Sequence, residues 1–335
     1  MDTEERALSA EPTTTTGVVV IAAESTASIQ ETITQDPLVF ELDLSHRRIE
    51  RLEHFEPLRR IRRLSLRWNL VKKIENLSTL KTLVELELYD NQIAIIENLE
   101  ELTNLQILDV SFNRLTHIQN VEKLVRLEKL YLVANRIAVM EQLGALTNLT
   151  MLELGDNKLK RIENIESLVN LRQLFLGKNR IERLENLDTL VHLEILSLQA
   201  NRIVRIENLD RLTSLRELYL SENGIETIEN LGGNRQLETL DIGKNRVRCV
   251  ANLEALQQLQ ELWLNHNAIG EWQSVALLRA NGALHTLYLE ANPLVRDIRY
   301  RSKLCEILPQ LHKIDATMCG SQPNSSTGAA TGPGQ

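Results

Sequence analysis

Apolar residues recur along the chain in a unit that alternates with polar residues and then stops at an asparagine. In LEKLYLVANRI, residues 127–137, the alternation is typical of a half-buried strand, and Asn135 then occupies a position where a core residue is expected. The pattern L-x-x-L-x-L-x-x-N-x-I/L/V, with exchanges among aliphatic residues, surrounds ten asparagines spaced 22 residues apart. These are Asn69, Asn91, Asn113, Asn135, Asn157, Asn179, Asn201, Asn223, Asn245 and Asn267. The period indicates an array of stacked structural units.

This pattern is that of leucine-rich repeats. A unit of 22 residues is too small to bury its own apolar face, so consecutive units must stack. Its length leaves room for one short strand and one 3₁₀ or brief helical return. The sequence therefore predicts an α/β leucine-rich-repeat solenoid, a right-handed horseshoe with short 3₁₀ or helical convex segments. The parallel sheet lines the concave side, because strands about 4.8 Å apart pack more closely than the bulkier returns.

The asparagines are predicted to be structural. Where the chain turns out of each strand, backbone donors and acceptors face the core, and a side-chain amide can satisfy both kinds. Loss of one such buried partner costs about 1–3 kcal/mol. A second motif, IENL with its variants, recurs between the units, as at residues 74–77 and 206–209.

The array ends in atypical units on both sides. Arg47 takes the asparagine position of the first unit, and the last unit follows after 25 rather than 22 residues, as is typical of terminal repeats. We predict a solenoid of about 12 repeats over residues 37–292 and a C-terminal cap with a helix over 293–317. Residues 1–36 and 318–335 have little hydrophobic patterning and are predicted to be disordered tails.

Composition and charge narrow the classes of function. A net charge of −8 and a pI near 5.5 argue against nucleic-acid binding, which requires clustered positive charge. Three cysteines without paired spacing favour free thiols in a reducing compartment, and the longest apolar run, GVVVIAA, is too short for a signal peptide or a membrane span. The sequence has no phosphate loop, paired-histidine metal motif or nucleophile elbow. We expect a soluble intracellular protein without enzymatic activity, cofactor or metal, whose partners are proteins.

One column of the predicted strands carries a binding signal. The residue between the two leucines of each L-x-L points away from the core, into the concavity. From repeat to repeat this column reads Asp43, Ser65, Glu87, Asp109, Tyr131, Glu153, Phe175, Ser197, Tyr219, Asp241, Trp263 and Tyr288, and it holds five of the twelve aromatic residues of the chain. A preference of aromatic residues for strands accounts for one or two of these rings. The interpretation that we favour is a protein-binding surface whose carboxylates, together with Glu41, Glu85 and Glu261, attract a partner with exposed Lys and Arg side chains.

Several motifs together resemble a known family. The IENL linker, the 22-residue period, LYDNQI, LDVSFN, LFLGKNRI, LRELYLSENGIE and the closing DAT are similar to the regulatory subunit 7 family of protein phosphatase 1 from about residue 40 to residue 317. The resemblance implies a non-catalytic, nuclear and cytoplasmic protein whose concave face embraces the phosphatase catalytic subunit and restrains it, often together with the small phosphatase inhibitor 3. The contact positions of the family fall here on Asp109, Glu153, Phe175, Glu261, Trp263 and Tyr288, with Tyr131 where relatives carry another aromatic residue.

Two alternatives stay open at this point. Similar repeats occur in a spliceosomal subunit and in an axonemal dynein light chain, so a different protein-interaction solenoid would also fit the repeat pattern. A nucleic-acid-binding protein is the other alternative, and the acidic concave column argues against it.

Overall fold

A single 15-stranded sheet runs through the protein in chain order in the computed structural model, which describes residues 18–20 and 38–319. The strands are β1 Val18–Val20, β2 Glu41–Asp43, β3 Arg63–Ser65, β4 Glu85–Glu87, β5 Ile107–Asp109, β6 Lys129–Tyr131, β7 Met151–Glu153, β8 Gln173–Phe175, β9 Ile195–Ser197, β10 Glu217–Tyr219, β11 Thr239–Asp241, β12 Glu261–Trp263, β13 Thr286–Tyr288, β14 Lys313–Ile314 and β15 Thr317–Met318. Neighbouring strands pair in parallel from β1 to β14, and only β15 runs antiparallel to its neighbour. The predicted α/β leucine-rich-repeat solenoid is confirmed.

The strand register aligns equivalent residues of every repeat. The central residue of each strand from β2 to β13 is a leucine and is buried, and parallel pairing sets it beside the central leucine of the next strand, as Leu130 is set beside Leu152. One continuous apolar core extends from Val39 to Ile314. Because side chains alternate along a strand, the residues on both sides of the central leucine face the concave surface.

The convex returns are tighter than the sequence suggested. In a typical repeat, two consecutive turns are closed by backbone bonds from Leu80 N to Leu77 O and from Leu83 N to Leu80 O, both 2.9 Å long. These are single i→i+3 bonds that do not extend into a helix. Within residues 38–319, helices occur only near the C-terminus: α1 Trp272–Ala276, a 3₁₀ turn Leu277–Ala280, a second 3₁₀ turn Pro293–Arg296, and α2 Tyr300–Ile307.

The asparagines at the 22-residue period bridge consecutive repeats. Asn179 Oδ1 accepts a hydrogen bond from the backbone N–H of Leu159, at 3.0 Å, and its Nδ2 donates to the carbonyl of Leu154, at 2.9 Å; both partners belong to the preceding repeat. The same Nδ2 also donates to Leu176 O within its own repeat. The pattern recurs from Asn69 through Asn267 and again at Asn292. This ladder confirms the predicted structural role.

A second asparagine ladder explains the IENL motif. Asn98 has a φ of 58°, and its Nδ2 donates to the carbonyl of Ile74 in the preceding repeat at 2.6 Å. The same bond joins Asn186 to Ile162 at 2.7 Å. Asparagine tolerates the left-handed region better than most residues, and here its side chain also bridges two repeats. The IENL motif could be recognised in the sequence, but the left-handed backbone conformation of its asparagine could not.

Both ends of the array depart from the repeat. Val18–Val20, within the segment predicted to be a disordered tail, pairs as β1 with β2; the other residues before 38 lie outside the described part of the chain. At the C-terminus, Asp315 Oδ1 accepts hydrogen bonds from the N–H groups of Leu289 and Glu290, at 2.8 and 2.9 Å, in place of a further asparagine. The hydroxyl of Tyr300 donates to Asp315 Oδ2 at 3.0 Å. The cap ends with strand β15, whose last residue, Met318, lies within the segment predicted to be a disordered tail. Residues 320–335 of that segment lie outside the described part of the chain.

The asparagine ladder predicts a specific loss of stability. Asn179→Ala leaves the N–H of Leu159 and the carbonyl of Leu154 without their amide partner, and we expect it to lower the free energy of unfolding by about 1–3 kcal/mol. Asn170, an exposed residue whose Nδ2 donates to Thr147 O, is the matched control and should change stability by no more than about 0.5 kcal/mol when replaced by Ala. Urea unfolding followed by circular dichroism compares the two variants. Equal losses would contradict the account.

Two adjacent glycines provide a test of the repeat packing. A Cβ on Gly233 would lie 2.8 Å from the carbonyl oxygen of Asp210, whereas a Cβ on Gly232 would meet nothing within 4 Å. Because the clash is with backbone, Gly233→Ala should lower the free energy of unfolding by about 1–3 kcal/mol. Gly232→Ala should leave stability unchanged or raise it slightly. Thermal unfolding of both variants checks the difference, and a destabilising Gly232→Ala would show that crowding at Asp210 is not the cause.

Candidate functional site

The structure places the seven predicted contact residues on the concave face. Parallel pairing sets the third residues of consecutive strands side by side, and from β5 to β13 they form what we call the concave row: Asp109, Tyr131, Glu153, Phe175, Ser197, Tyr219, Asp241, Trp263 and Tyr288. Glu261 is the first residue of β12 and faces the same side. All seven predicted residues are half-buried, and none belongs to the core.

Two aromatic rings are paired at the C-terminal end of the row. The ring centroids of Trp263 and Tyr288 lie 5.1 Å apart with an interplanar angle of 44°. Trp263 Nε1 donates to Glu261 Oε2 at 3.3 Å, and Lys313 Nζ lies 5.2 Å from the centroid of Tyr288. The pair therefore offers a large, half-exposed apolar surface on a fixed support, and such rings commonly anchor protein interfaces.

Carboxylates and rings alternate in the middle of the row. Burial, together with the nearby charge of Asp109, raises the pKa of the Glu153 carboxyl above its ordinary value. Burial, followed by the charges of Glu153 and Asp109, also raises the pKa of Tyr131. The carboxylates thus lie in a partly desolvated, negatively charged environment. A cation brought by a partner would relieve their repulsion.

The row is interrupted between these two clusters. Ser197 is 8% exposed and Asp241 is 6% exposed. The prediction that every residue of this column points outward into the concavity was therefore wrong for these two. Asp241 Oδ1 accepts a hydrogen bond from Gly243 N at 2.9 Å, which turns the carboxylate toward its own loop. The hydroxyl of Tyr219 donates to Glu217 Oε2 at 2.7 Å, and burial, reinforced by this bond, raises its pKa. The accessible rings and carboxylates of the row therefore gather in a central cluster around Glu153 and a C-terminal cluster around Trp263, with Tyr219 half-buried between them.

A groove adjoins Phe175 in the central cluster. Its walls include Phe112 and Phe175, and its volume is about 500 Å³. The floor contains Gly155 and Gly177, whose missing side chains open the space; a Cβ on Gly177 would lie 3.4 Å from the carbonyl oxygen of Gln199. The sequence prediction missed these residues because they follow the strands rather than lie within them. The signal available was the pair of glycines at equivalent positions in consecutive repeats.

A second aromatic surface, also missed from the sequence, lies at the other end of the solenoid, where the chain leaves strands β2 to β5. We call it the rim ladder, and it consists of His46, Trp68, Tyr89 and Phe112. Consecutive ring centroids are 4.4, 5.6 and 4.8 Å apart. Its signal was present in the segments LSHR, LRWN, LYDN and VSFN of four consecutive repeats.

Among residues 38–319, no group of three or more His, Cys, Asp or Glu side chains is arranged to hold a metal ion. No helix in the described part of the chain is long and apolar enough to span a membrane. Cys249, Cys305 and Cys319 are free thiols, and Sγ atoms of the last two lie 4.0 Å apart.

Comparison with known proteins supports both the repeat and the resemblance. The family model described as "Leucine Rich repeats (2 copies)" matches residues 147–189, 191–233 and 213–255. The chain is 50% identical over 53 residues to protein phosphatase 1 regulatory subunit 7 of Xenopus tropicalis, a stretch that covers 16% of this chain and 15% of the relative. It is also 50% identical over 46 residues to the Bos taurus protein of the same name, covering 14% of this chain and 13% of the relative. The aligned stretches thus span about one seventh of these relatives.

Solved structures resemble the whole solenoid. An internalin, inlF, from Listeria monocytogenes superposes with a TM-score of 0.68 at 23% identity and covers 90% of this chain and 93% of its own. The functional domain of InlJ from the same organism has a TM-score of 0.68 at 20% identity and covers 83% of this chain and 62% of its own. At these identities the likeness concerns the fold alone. The chain is a leucine-rich-repeat solenoid that resembles protein phosphatase 1 regulatory subunit 7 over short stretches.

Proposed function

We propose that this protein is a non-catalytic regulatory subunit that binds the catalytic subunit of protein phosphatase 1 through its concave face. The name of the two relatives supports the phosphatase as the partner. The observation that carries the proposal is the concave row, in which half-exposed rings and carboxylates stand on one rigid sheet. Binding there would control the activity, maturation or localisation of the phosphatase. Phosphatase inhibitor 3 as a third member of the complex, and a nuclear and cytoplasmic location, belong to the same proposal.

The two clusters have different tasks in the proposed complex. Trp263 and Tyr288 provide the apolar anchor, because burial of large rings in a well-packed contact contributes most to interface stability. Asp109 and Glu153 provide the charge that selects a basic surface and accelerates encounter. The register of the sheet holds these groups in place before binding, so little ordering is required.

A different protein partner on the same concave face is the alternative. The family model that matches residues 147–189, 191–233 and 213–255 is described by its repeat alone. Mass spectrometry of proteins that co-purify with the tagged full chain distinguishes the two readings. Recovery of the phosphatase catalytic subunit supports the proposal. Recovery of spliceosomal or cytoskeletal proteins without the phosphatase catalytic subunit supports the alternative.

Removal of one ring from each cluster tests the interface. The double variant Phe175→Ala and Trp263→Ala should reduce binding of the purified phosphatase catalytic subunit by at least about a hundredfold, because it removes two anchor residues. Val204, which is 55% exposed and lies outside the sheet, is the control, and Val204→Ala should bind normally. Isothermal titration calorimetry gives the affinities, and far-ultraviolet circular dichroism confirms the fold. Undiminished binding of the double variant would refute the interface.

Glu153 should affect stability and binding in opposite directions. Its raised pKa means that the charged carboxylate destabilises the free solenoid at neutral pH; this penalty fades as the pH falls through the raised pKa towards the ordinary value of 4.5, and it is absent below that value. Glu153→Gln should therefore raise the unfolding temperature at pH about 7, show no gain at pH about 4, and weaken phosphatase binding by about tenfold.

Glu101 provides the matched control for that experiment. Its carboxyl is exposed, and the hydrogen bond from Lys81 lowers its pKa, so Glu101→Gln should not stabilise the protein at neutral pH and should leave binding unchanged. Differential scanning fluorimetry across the pH range supplies the unfolding temperatures. A Glu153→Gln variant that binds as tightly as the unchanged protein would remove this carboxylate from the site.

A further inference from the structure

The rim ladder is a continuous aromatic surface at the N-terminal end of the solenoid. His46 stacks on Trp68 with an interplanar angle of 9°, Tyr89 meets Trp68 edge-on at 72°, and Phe112 continues the series at 45° to Tyr89. The guanidinium of Arg67 lies 5.0 Å from the Trp68 ring centroid and 4.8 Å from that of Tyr89. Its rings lie just after strands β2 to β5, whereas Trp263 and Tyr288 lie within β12 and β13.

The fold does not require large rings at these positions. Trp68 and Phe112 have φ angles of 52° and 54°, and the equivalent position has a positive φ in the later repeats as well. Those repeats carry Ala134, Asp156, Lys178, Ala200, Glu222 and Lys244 there. Trp68 is 40% exposed and Phe112 is 44% exposed, so their rings add little to the core. Large rings held at exposed positions in the left-handed region call for an explanation other than packing.

A negatively charged cavity adjoins the ladder. We call it the acidic hollow; it has a volume of about 480 Å³, and its lining includes Glu41, Asp43, Glu85 and Glu87 beside the rings of His46 and Trp68. Arg63 pairs with Glu41 at 3.0 Å and with Glu85 at 3.2 Å, and Arg67 lies 3.7 Å from Glu87. Two guanidinium groups thus face four carboxylates, which leaves an excess of negative charge.

The crowding of these carboxylates is visible at Glu85. Burial and the charge of Glu87 raise the pKa of the Glu85 carboxyl, and the opposing effect of Arg63 does not cancel them. An additional cation in the hollow would relieve this repulsion. A lysine or arginine side chain is well suited to the place, because its apolar stem can lie along the rings while its charged end reaches the carboxylates.

We propose that the rim ladder and the acidic hollow form a second protein-binding site, which takes an extended partner segment carrying a Lys or Arg side chain next to apolar residues. The cationic side chain enters the hollow toward Glu85, and the apolar neighbours pack on Trp68, Tyr89 and Phe112. The site does not depend on the phosphatase proposal, because none of the seven predicted contact residues belongs to the rim ladder or lines the acidic hollow, although Phe112 also borders the groove beside Phe175. Charge complementarity and the exposed rings select this occupant over an acidic segment or a nucleic acid.

A peptide selection on the full chain tests the second site. A phage-displayed library of random peptides is selected on the immobilised protein, and the most enriched peptide is synthesised with a fluorescent label. We expect enriched sequences with Lys or Arg beside apolar residues. Fluorescence anisotropy should show that Trp68→Ala and Glu85→Gln each weaken binding by about tenfold or more, and that added salt weakens it further. Trp263→Ala is the matched control at the other aromatic cluster and should leave the affinity unchanged.

The two site variants guard against a folding artefact. Glu85→Gln keeps the size of the side chain, so its loss of affinity cannot be attributed to a disrupted core, and circular dichroism verifies the fold of Trp68→Ala. Enrichment of acidic peptides, no enrichment at all, or binding that neither variant reduces would each overturn the proposal. Loss of binding in Trp263→Ala alone would place the peptide on the C-terminal cluster and would overturn it too.

Discussion

The buried amide that joins each repeat to the one before it is the interaction on which this structure depends. At Asn179, Oδ1 accepts a hydrogen bond from Leu159 and Nδ2 donates to Leu154, so one side chain satisfies a donor and an acceptor of the neighbouring repeat. Neither backbone group can reach water, and each would be left unpaired without the amide. The ladder therefore fixes the position of each repeat on its neighbour, and with it the register of the sheet. The second ladder, such as the bond from Asn98 to Ile74, does the same on the return side.

The register has a direct consequence for function. Because the central leucines of all strands align, the residues on either side of them also align, and side chains far apart in sequence form one surface. The core requires only the leucines, so the concave positions are free to carry rings and carboxylates that packing does not require. Glu153 is one such residue: burial and the charge of Asp109 raise the pKa of its carboxyl, so its negative charge is unfavourable in the isolated protein. Such a residue is understandable where a partner supplies the compensating charge.

Most of the fold could be predicted from the sequence, because a fixed period reveals the core, the strands and the bridging asparagines at once. The convex returns were harder, since a pattern of leucines does not distinguish two tight turns from a short helix. Asp241 was misjudged because its side chain turns toward Gly243, a local hydrogen bond that strand alternation cannot reveal. The rim ladder was missed because its rings fall in two adjacent columns: Tyr89 lies one position closer to its strand than His46, Trp68 and Phe112 do. Pairing of Val18–Val20 with β2 was likewise invisible in a segment without a repeat.

In the proposed complex, the concave row contacts the phosphatase catalytic subunit. Site-specific photo-cross-linking measures this most directly, with a photoreactive amino acid placed at Tyr219 on the concave face or at Val204 outside the sheet. The account predicts that the catalytic subunit is captured from the position of Tyr219 and not from that of Val204. Capture from Val204 alone, or from neither position while the complex still forms, would contradict it.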